Sequence, residues 1–189
     1  MKKALTLIGS SRKNGSTALL VEEAGRGLTD QGVETTTIFL NEKEIRGCQA
    51  CYWCKRNDLA ACAVEDDMQH IHTLLQEAAG VIVASPTYFS GVTAQTKTWL
   101  DRMSPYISMD LVPKLPKTTK ASFIFTQNQP NPALFLPGID AFMYAVGLSG
   151  MTQGDHLIAS NLDAWIKPPV TDYPAYLEMA YRIGQDLIR

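Results

Sequence analysis

Apolar residues along the chain alternate between short continuous runs and longer stretches where they recur every three or four positions. The runs at 3–9 (KALTLIG), 80–86 (GVIVASP) and 121–127 (ASFIFTQ) have strand length, the β-branched stretch 34–40 (ETTTIFL) reads as a second strand, and 151–160 (MTQGDHLIAS) reads as a fifth. The run at 80–86 is apolar almost throughout, as a central parallel strand must be when both its faces are covered. Between the runs lie helical patterns. In 16–32, Leu19, Leu20, Ala24 and Leu28 share one face, Ser16 or Thr17 can cap the start, and Gly32 ends the helix. The helix at 65–80 carries acidic residues in its first turn, which suits the positive end of the helix dipole. Further helices are expected at 92–104, within 132–147 from Pro137 onward, and at 173–189 with Pro174 in the first turn. A strand–helix rhythm with helical crossovers predicts a doubly wound parallel α/β sheet. The irregular stretch 105–120 reads as a lid, a subunit contact or a plain surface loop.

Composition narrows the class. The 189 residues suit one domain over 1–189, with a cysteine-rich insertion at about 46–64 after the second strand. With 46% hydrophobic residues the chain can bury a full core, and a net charge of −2 without long single-sign runs argues against nucleic acid or an acidic membrane surface as partner. The opening MKKALTLIG has too short an apolar run for a signal peptide, and no window reaches the roughly 18 apolar residues of a membrane span. A soluble, cytoplasmic protein is expected. In a reducing cytosol, clustered cysteines are metal-binding or catalytic more often than disulfide-bonded.

Ligands of open α/β sheets bind beyond the carboxyl ends of the strands. After the first strand stands GSSRKNGSTA (9–18), where Ser10, Ser11, Ser16 and Thr17 offer hydroxyls, Arg12 a cation, and the following helix free N–H groups. No Gly-Lys-Ser/Thr closes it and it is not a Gly-x-Gly-x-x-Gly turn, so it suits a phosphate monoester such as the tail of FMN, or is an ordinary Ser-capped polar loop. After the third strand comes SPTYFSGVTAQTKTWLDR (85–102). There Tyr88 and Phe89 offer aromatic faces and the 87–91 backbone offers polar groups to a flat ring; alternatively the two rings cover the end of the sheet. Taken together the two loops describe an elongated ligand.

These motifs, with EDDM between them, resemble the NADPH-dependent FMN reductase and iron–sulfur flavoprotein group of the flavodoxin-like superfamily over about residues 1–126. The resemblance implies a five-stranded parallel sheet of order 2-1-3-4-5. It implies that Ser10, Arg12, Asn14, Ser16 and Thr17 hold the FMN phosphate, and that Pro86, Thr87, Tyr88, Phe89 and Ser90 contact the isoalloxazine and ribityl parts. It also implies a homodimer or homotetramer with the flavin near a subunit interface, and NAD(P)H as electron donor. Relatives carry a glycine-rich turn after the fourth strand; here Thr126, counted among the flavin contacts, opens the bulkier Thr126-Gln127-Asn128-Gln129-Pro130.

The segment GCQACYWCKRNDLAAC holds every cysteine, spaced Cys48-x2-Cys51-x2-Cys54-x7-Cys62. The first three follow the spacing of ferredoxin runs, and iron–sulfur flavoproteins resemble this chain in the full arrangement, so the four are candidate ligands of a [4Fe–4S] cluster. Zinc is less natural, because Cys51 is shared by two overlapping knuckles. Free thiols, as apolar fillers or a redox pair, are the third reading. Tyr52 and Trp53 would cover such a cluster, while Lys55 and Arg56 would offset its charge. His70 and His72 lie on different helix faces and read as surface residues. The expected function is FMN-dependent oxidoreduction, with electrons passing between FMN and a cluster or a ferredoxin-like carrier. The alternatives are a cluster-free NAD(P)H-dependent FMN or quinone reductase, and a flavin- or zinc-binding module without turnover.

Overall fold

A computed structural model describes residues 1–57, 60–163 and 169–189. Five strands form one parallel sheet: β1 (Lys3–Ile8), β2 (Glu34–Phe39), β3 (Gly80–Pro86), β4 (Lys120–Thr126) and β5 (Thr152–Ala159). They stand in the order β2-β1-β3-β4-β5. This is the flavodoxin-like arrangement, with the reversal of winding beside β1 and β3. The helices among the described residues are α1 (Ser16–Asp30), α2 (Trp53–Arg56), α3 (Met68–Glu77), α4 (Ala94–Asp101), α5 (Leu136–Gly147) and α6 (Pro174–Asp186).

Side chains alternate across each strand, so every central strand feeds two cores. Leu5, Leu7, Val81, Val83, Phe123 and Phe125 face α3, α4 and α5, where they meet Met68, Ile71, Leu75, Trp99, Phe142 and Val146. Ala4, Ile8, Ile82, Ala84 and Ile124 face α1 and α6, where they meet Leu20, Val21, Ala24, Ile183 and Leu187. Each of the Val, Leu, Ile, Phe and Met side chains among them contributes roughly 1.5–3 kcal/mol on burial. All seven residues of β3 are buried, whereas β2 and β5 at the edges keep exposed positions.

The helix bounds differ from the periodicity in two places. Helix α1 is capped by Gly15, not by Ser16 or Thr17. Helix α3 begins at Met68, because Asp66 and Asp67 turn their carboxylates onto the N–H groups of Met68, Arg46 and Glu44. Stretch 105–120 is partly ordered by packing: Tyr106 and Leu115 are buried, while Met109, Leu111 and Val112 at its tip are exposed.

Candidate functional site

The loops that leave β1, β3 and β4 at their carboxyl ends meet around one cavity of about 810 Å³, within the range of small-molecule sites. Ser10, Arg12, Asn14, Ser16, Thr17, Pro86, Thr87, Tyr88, Phe89, Ser90 and Thr126 all line it. The sequence reading reached these residues through the loops that follow the strands and through the family resemblance, and the sheet brings them to one cavity. Gly15 and Leu19, from the first loop and helix, and Gln127 and Asn128, from the turn already singled out as bulky, add to the wall. Phe135, Leu162, Asp163 and Pro169 complete it from segments with no motif; these four were not foreseen.

One end of the cavity lies at the start of α1. Ser10 accepts the Arg12 N–H at 3.1 Å, and the Gly15 N–H donates to the Arg12 carbonyl at 3.3 Å, so the loop folds back on itself. Glycine at the cap means that no side chain spends the first-turn N–H groups of α1. Those donors and the dipole end are available to a ligand. Thr17 does not cap its helix. It shares a buried 2.8 Å hydrogen bond with Thr126, which fixes α1 to the end of β4.

The other end is a tight turn. Tyr88 and Gly91 exchange backbone hydrogen bonds of 2.8 and 3.0 Å, and Phe89 and Ser90 between them have φ of 46° and 66°. Two successive positive φ values define a mirror-image turn that normally selects glycine or asparagine. Phe89 is fully exposed at its tip. A buried polar chain braces this turn against the phosphate-type loop: Ser85 accepts the Thr93 N–H at 3.0 Å, and Thr93 donates to the Gly9 carbonyl at 2.9 Å. Thr93 also caps α4 by accepting from Thr96. Buried on the cavity wall, Thr87 Oγ1 and Gln127 Oε1 have no partner among the described residues, although Gln127 Nε2 donates to the carbonyls of Gln129 and Asn131. Unpaired donors and acceptors beside an aromatic turn, opposite an uncapped helix start, suit a long ligand with an anionic tail and a polar-edged ring. The residues present therefore fit FMN.

The four cysteines line a second, smaller cavity of about 180 Å³, together with Tyr52, Lys55 and Arg102. All four are free thiols; Cys48 and Cys51 are exposed and Cys54 is buried. Ala50 and Tyr52 take φ of 48° and 57°, a conformation that costs free energy and persists only where surroundings hold it. The Val64 N–H lies 3.5 Å from Cys62 Sγ, and Cys54 Sγ lies 3.9 Å from Ser104 Oγ. Among the described residues no three His, Cys, Asp or Glu side chains converge as a ready-made metal site. Residues 58 and 59 of the insertion lie outside the described residues.

Two cations flank this cavity. Lys55 donates to the carbonyls of Ser104 and Ile107; burial, aided by Lys114, lowers its pKa against the pull of Cys54 and Cys48. Arg102 is wholly buried against Asp66 at 2.6 Å. Burial alone would push the Asp66 carboxyl up. The hydrogen bonds from Arg102, Arg46 and Met68 outweigh it and hold the group below the usual carboxylate range. His72, read from the sequence as a surface residue, is buried instead. Its Nδ1 lies 2.9 Å from the Tyr106 hydroxyl, because α3 turns that face to the sheet.

Residues 2–119 match the model of the NADPH-dependent FMN reductase family. An iron–sulfur flavoprotein of Methanocaldococcus jannaschii is 41% identical over 103 residues, covering 54% of this chain and 52% of that protein. One from Archaeoglobus fulgidus is 38% identical over 104 residues, covering 55% and 46%. The chain thus matches about half the length of these curated relatives. Among solved structures, an NAD(P)H:quinone oxidoreductase from Methanothermobacter marburgensis superposes with a TM-score of 0.77 at 17% identity, over 100% of this chain and 98% of that one. A flavone reductase superposes with a TM-score of 0.72 at 16% identity, over 98% and 62%. Both show the same fold.

Proposed function

The chain belongs to the NADPH-dependent FMN reductase family, and on that premise we propose that it is an FMN-dependent oxidoreductase of the iron–sulfur flavoprotein type. The observation that carries this reading is the large cavity, which joins an uncapped helix start and a hydroxyl-rich loop to a strained aromatic turn. Ser10, Ser16 and the first-turn N–H groups of α1 would hold the phosphate, with Arg12 over it. Tyr88, Phe89 and the 87–91 backbone would position the ring, and Thr87 and Gln127 would meet its polar edge. Cys48, Cys51, Cys54 and Cys62 would ligate a [4Fe–4S] cluster, with Lys55 and Arg102 offsetting its charge. Bound FMN and cluster would supply the redox chemistry; the protein's part is orientation, charge and exclusion of water. NAD(P)H or a ferredoxin-like carrier would exchange electrons with this pair. A homo-oligomer would cover Phe89, which stands in solvent at the cavity mouth. Among the described residues no helix is long and apolar enough to cross a membrane.

Purification without oxygen, a visible spectrum, and iron and sulfide analysis test the proposal. Flavin bands with a broad absorbance tail and near-stoichiometric iron support it. Flavin bands without iron leave a cluster-free NAD(P)H-dependent reductase of FMN or quinones. A colourless protein that takes up no FMN on titration overturns both and leaves a binding module. Arg12→Ala removes a charge-assisted hydrogen bond worth roughly 1.5–3 kcal/mol. Its Kd for FMN is expected to rise about tenfold or more by flavin fluorescence; an unchanged Kd would remove Arg12 from the phosphate site.

A further inference from the structure

Arg102 does more than neutralise Asp66. It follows α4 directly, and its side chain is 0% exposed. Its Nη1 donates to the Arg46 carbonyl at 2.8 Å and to Asp66 Oδ2 at 2.6 Å. Its Nη2 donates to the Val64 carbonyl at 3.2 Å and to Asp66 Oδ1 at 3.1 Å. Arg46 and Val64 stand just outside Cys48 and Cys62, so one guanidinium ties down both ends of the cysteine segment. Asp66 closes the same knot by accepting the Arg46 N–H at 3.0 Å.

Arg102 also forms part of the wall of the cysteine cavity. Its remaining N–H, on Nε, is buried and has no hydrogen-bond partner of ordinary geometry among the described residues. A buried, charged N–H without an acceptor is costly and calls for an explanation. Cys62 adds to the forces that favour the positive charge of Arg102, alongside Asp66. Asp66 takes one bond from each Nη atom, which leaves Nε unspent in a residue that lines the same cavity as the four thiols.

We infer that Arg102 is the positioning residue of the cysteine cavity: it locks both ends of the loop so that the four thiols stay around one space, and it supplies a fixed positive charge to an anionic, thiolate-ligated group held there. This rests on the cluster reading above. Lysine cannot reproduce the role, because a single ammonium cannot bridge two carbonyls and a carboxylate in one plane.

The test uses the full chain, loaded with FMN and reconstituted anaerobically with ferrous iron and sulfide. Wild type is compared with Arg102→Lys and with the double variant Asp66→Asn/Arg102→Gln, which replaces the buried pair by neutral groups and strands no charge. Iron per chain, the cluster midpoint potential, FMN affinity and hydrogen exchange over residues 46–64 are read together. In the double variant the cluster is expected to be about tenfold harder to reduce, a shift of about 59 mV to more negative potential, with FMN affinity unchanged. In Arg102→Lys the charge remains, so the potential moves less, but the loop exchanges faster and iron is lost to a chelator several-fold sooner. Should the double variant not fold, the lysine variant alone decides through loop exchange and chelator loss. Variants with wild-type iron, potential and loop protection overturn the role of Arg102 and leave the cluster reading standing. A wild-type protein that binds FMN but takes up no iron overturns the cluster reading, and this inference with it.

Discussion

At the scale of single residues, the turn after β3 depends on a glycine that lies far away in sequence. Phe89 and Ser90 hold positive φ values that neither side chain favours. They are kept there by the Tyr88–Gly91 hydrogen bonds and by α5, which reaches the turn at Gly138. A Cβ on Gly138 would sit well inside van der Waals contact of the Ser90 carbonyl oxygen. Gly138→Ala therefore sets a clash of roughly 1–3 kcal/mol against the turn. The turn is the softer partner, since Phe89 is solvent-exposed and α5 is anchored by Ile139 and Phe142 in the core. FMN affinity should fall about tenfold, read by fluorescence titration, with little change in the far-ultraviolet circular dichroism. An unchanged affinity would mean that the helix yields instead, or that the turn does not touch the ring.

At the scale of elements, helices α1 and α6 cross with their backbones almost in contact. Gly27 faces the Tyr181 carbonyl and Gly184 faces the Ala24 carbonyl, each too close for a Cβ. Gly184→Ala should force the helices apart at a cost of roughly 1–3 kcal/mol, lowering Tm by about 2–4 °C per kcal/mol for a chain of this size. FMN affinity at 25 °C should hold, because this crossing lies away from the cavity lining; a matching loss of affinity would show that α1 transmits the displacement to its N-terminus. The central strands β1, β3 and β4 were legible in the sequence because burial on both faces leaves continuous apolar runs, and the cavity loops because they follow strands β1 and β3. The cavity's remaining wall was not legible: Phe135 and Leu162 arrive from segments that only the sheet order places there. The Asp66–Arg102 pair was equally hidden. Asp66 stood inside a helix pattern and Arg102 at the end of another, and opposite charges 36 positions apart carry no local periodicity. His72 was misread for a related reason. Helical spacing separated it from His70, but only the packing of Tyr106 shows which of the two faces inward.

At the scale of the whole molecule, the two cavities differ in what holds them, and pH exposes the difference. The larger cavity is braced by neutral bonds, Thr17 to Thr126 and Ser85 to Thr93 to Gly9, which do not titrate. The cysteine side is held by ionisable groups: Asp66, Arg102 and, behind them, His72 against Tyr106. Burial, with help from the Arg102 charge and against that of Asp66, lowers the His72 pKa from 6.5 to about 4. Burial likewise pushes the Tyr106 hydroxyl up to about 12, so it stays neutral throughout. Above pH 6.5 His72 is neutral in both folded and unfolded chains and contributes no slope. As pH falls below 6.5 the unfolded chain gains a proton that the folded one refuses, so stability drops until about pH 4, where the folded chain accepts it too. The full loss amounts to about 3 kcal/mol. Asp66 acts lower: its depressed folded pKa gives stability that is present above the ordinary carboxylate value and lost as pH falls through the folded one. Urea unfolding at fixed pH should therefore show a plateau near neutrality, a decline between 6.5 and 4, and a further decline beneath. His72→Gln keeps a polar side chain beside the Tyr106 hydroxyl but cannot titrate. It should flatten the middle segment and leave the lowest one in place. Equal slopes between pH 6.5 and 4 in both proteins would show that His72 is already protonated in the folded chain, with its charge accommodated by Asp66 despite the neighbouring guanidinium.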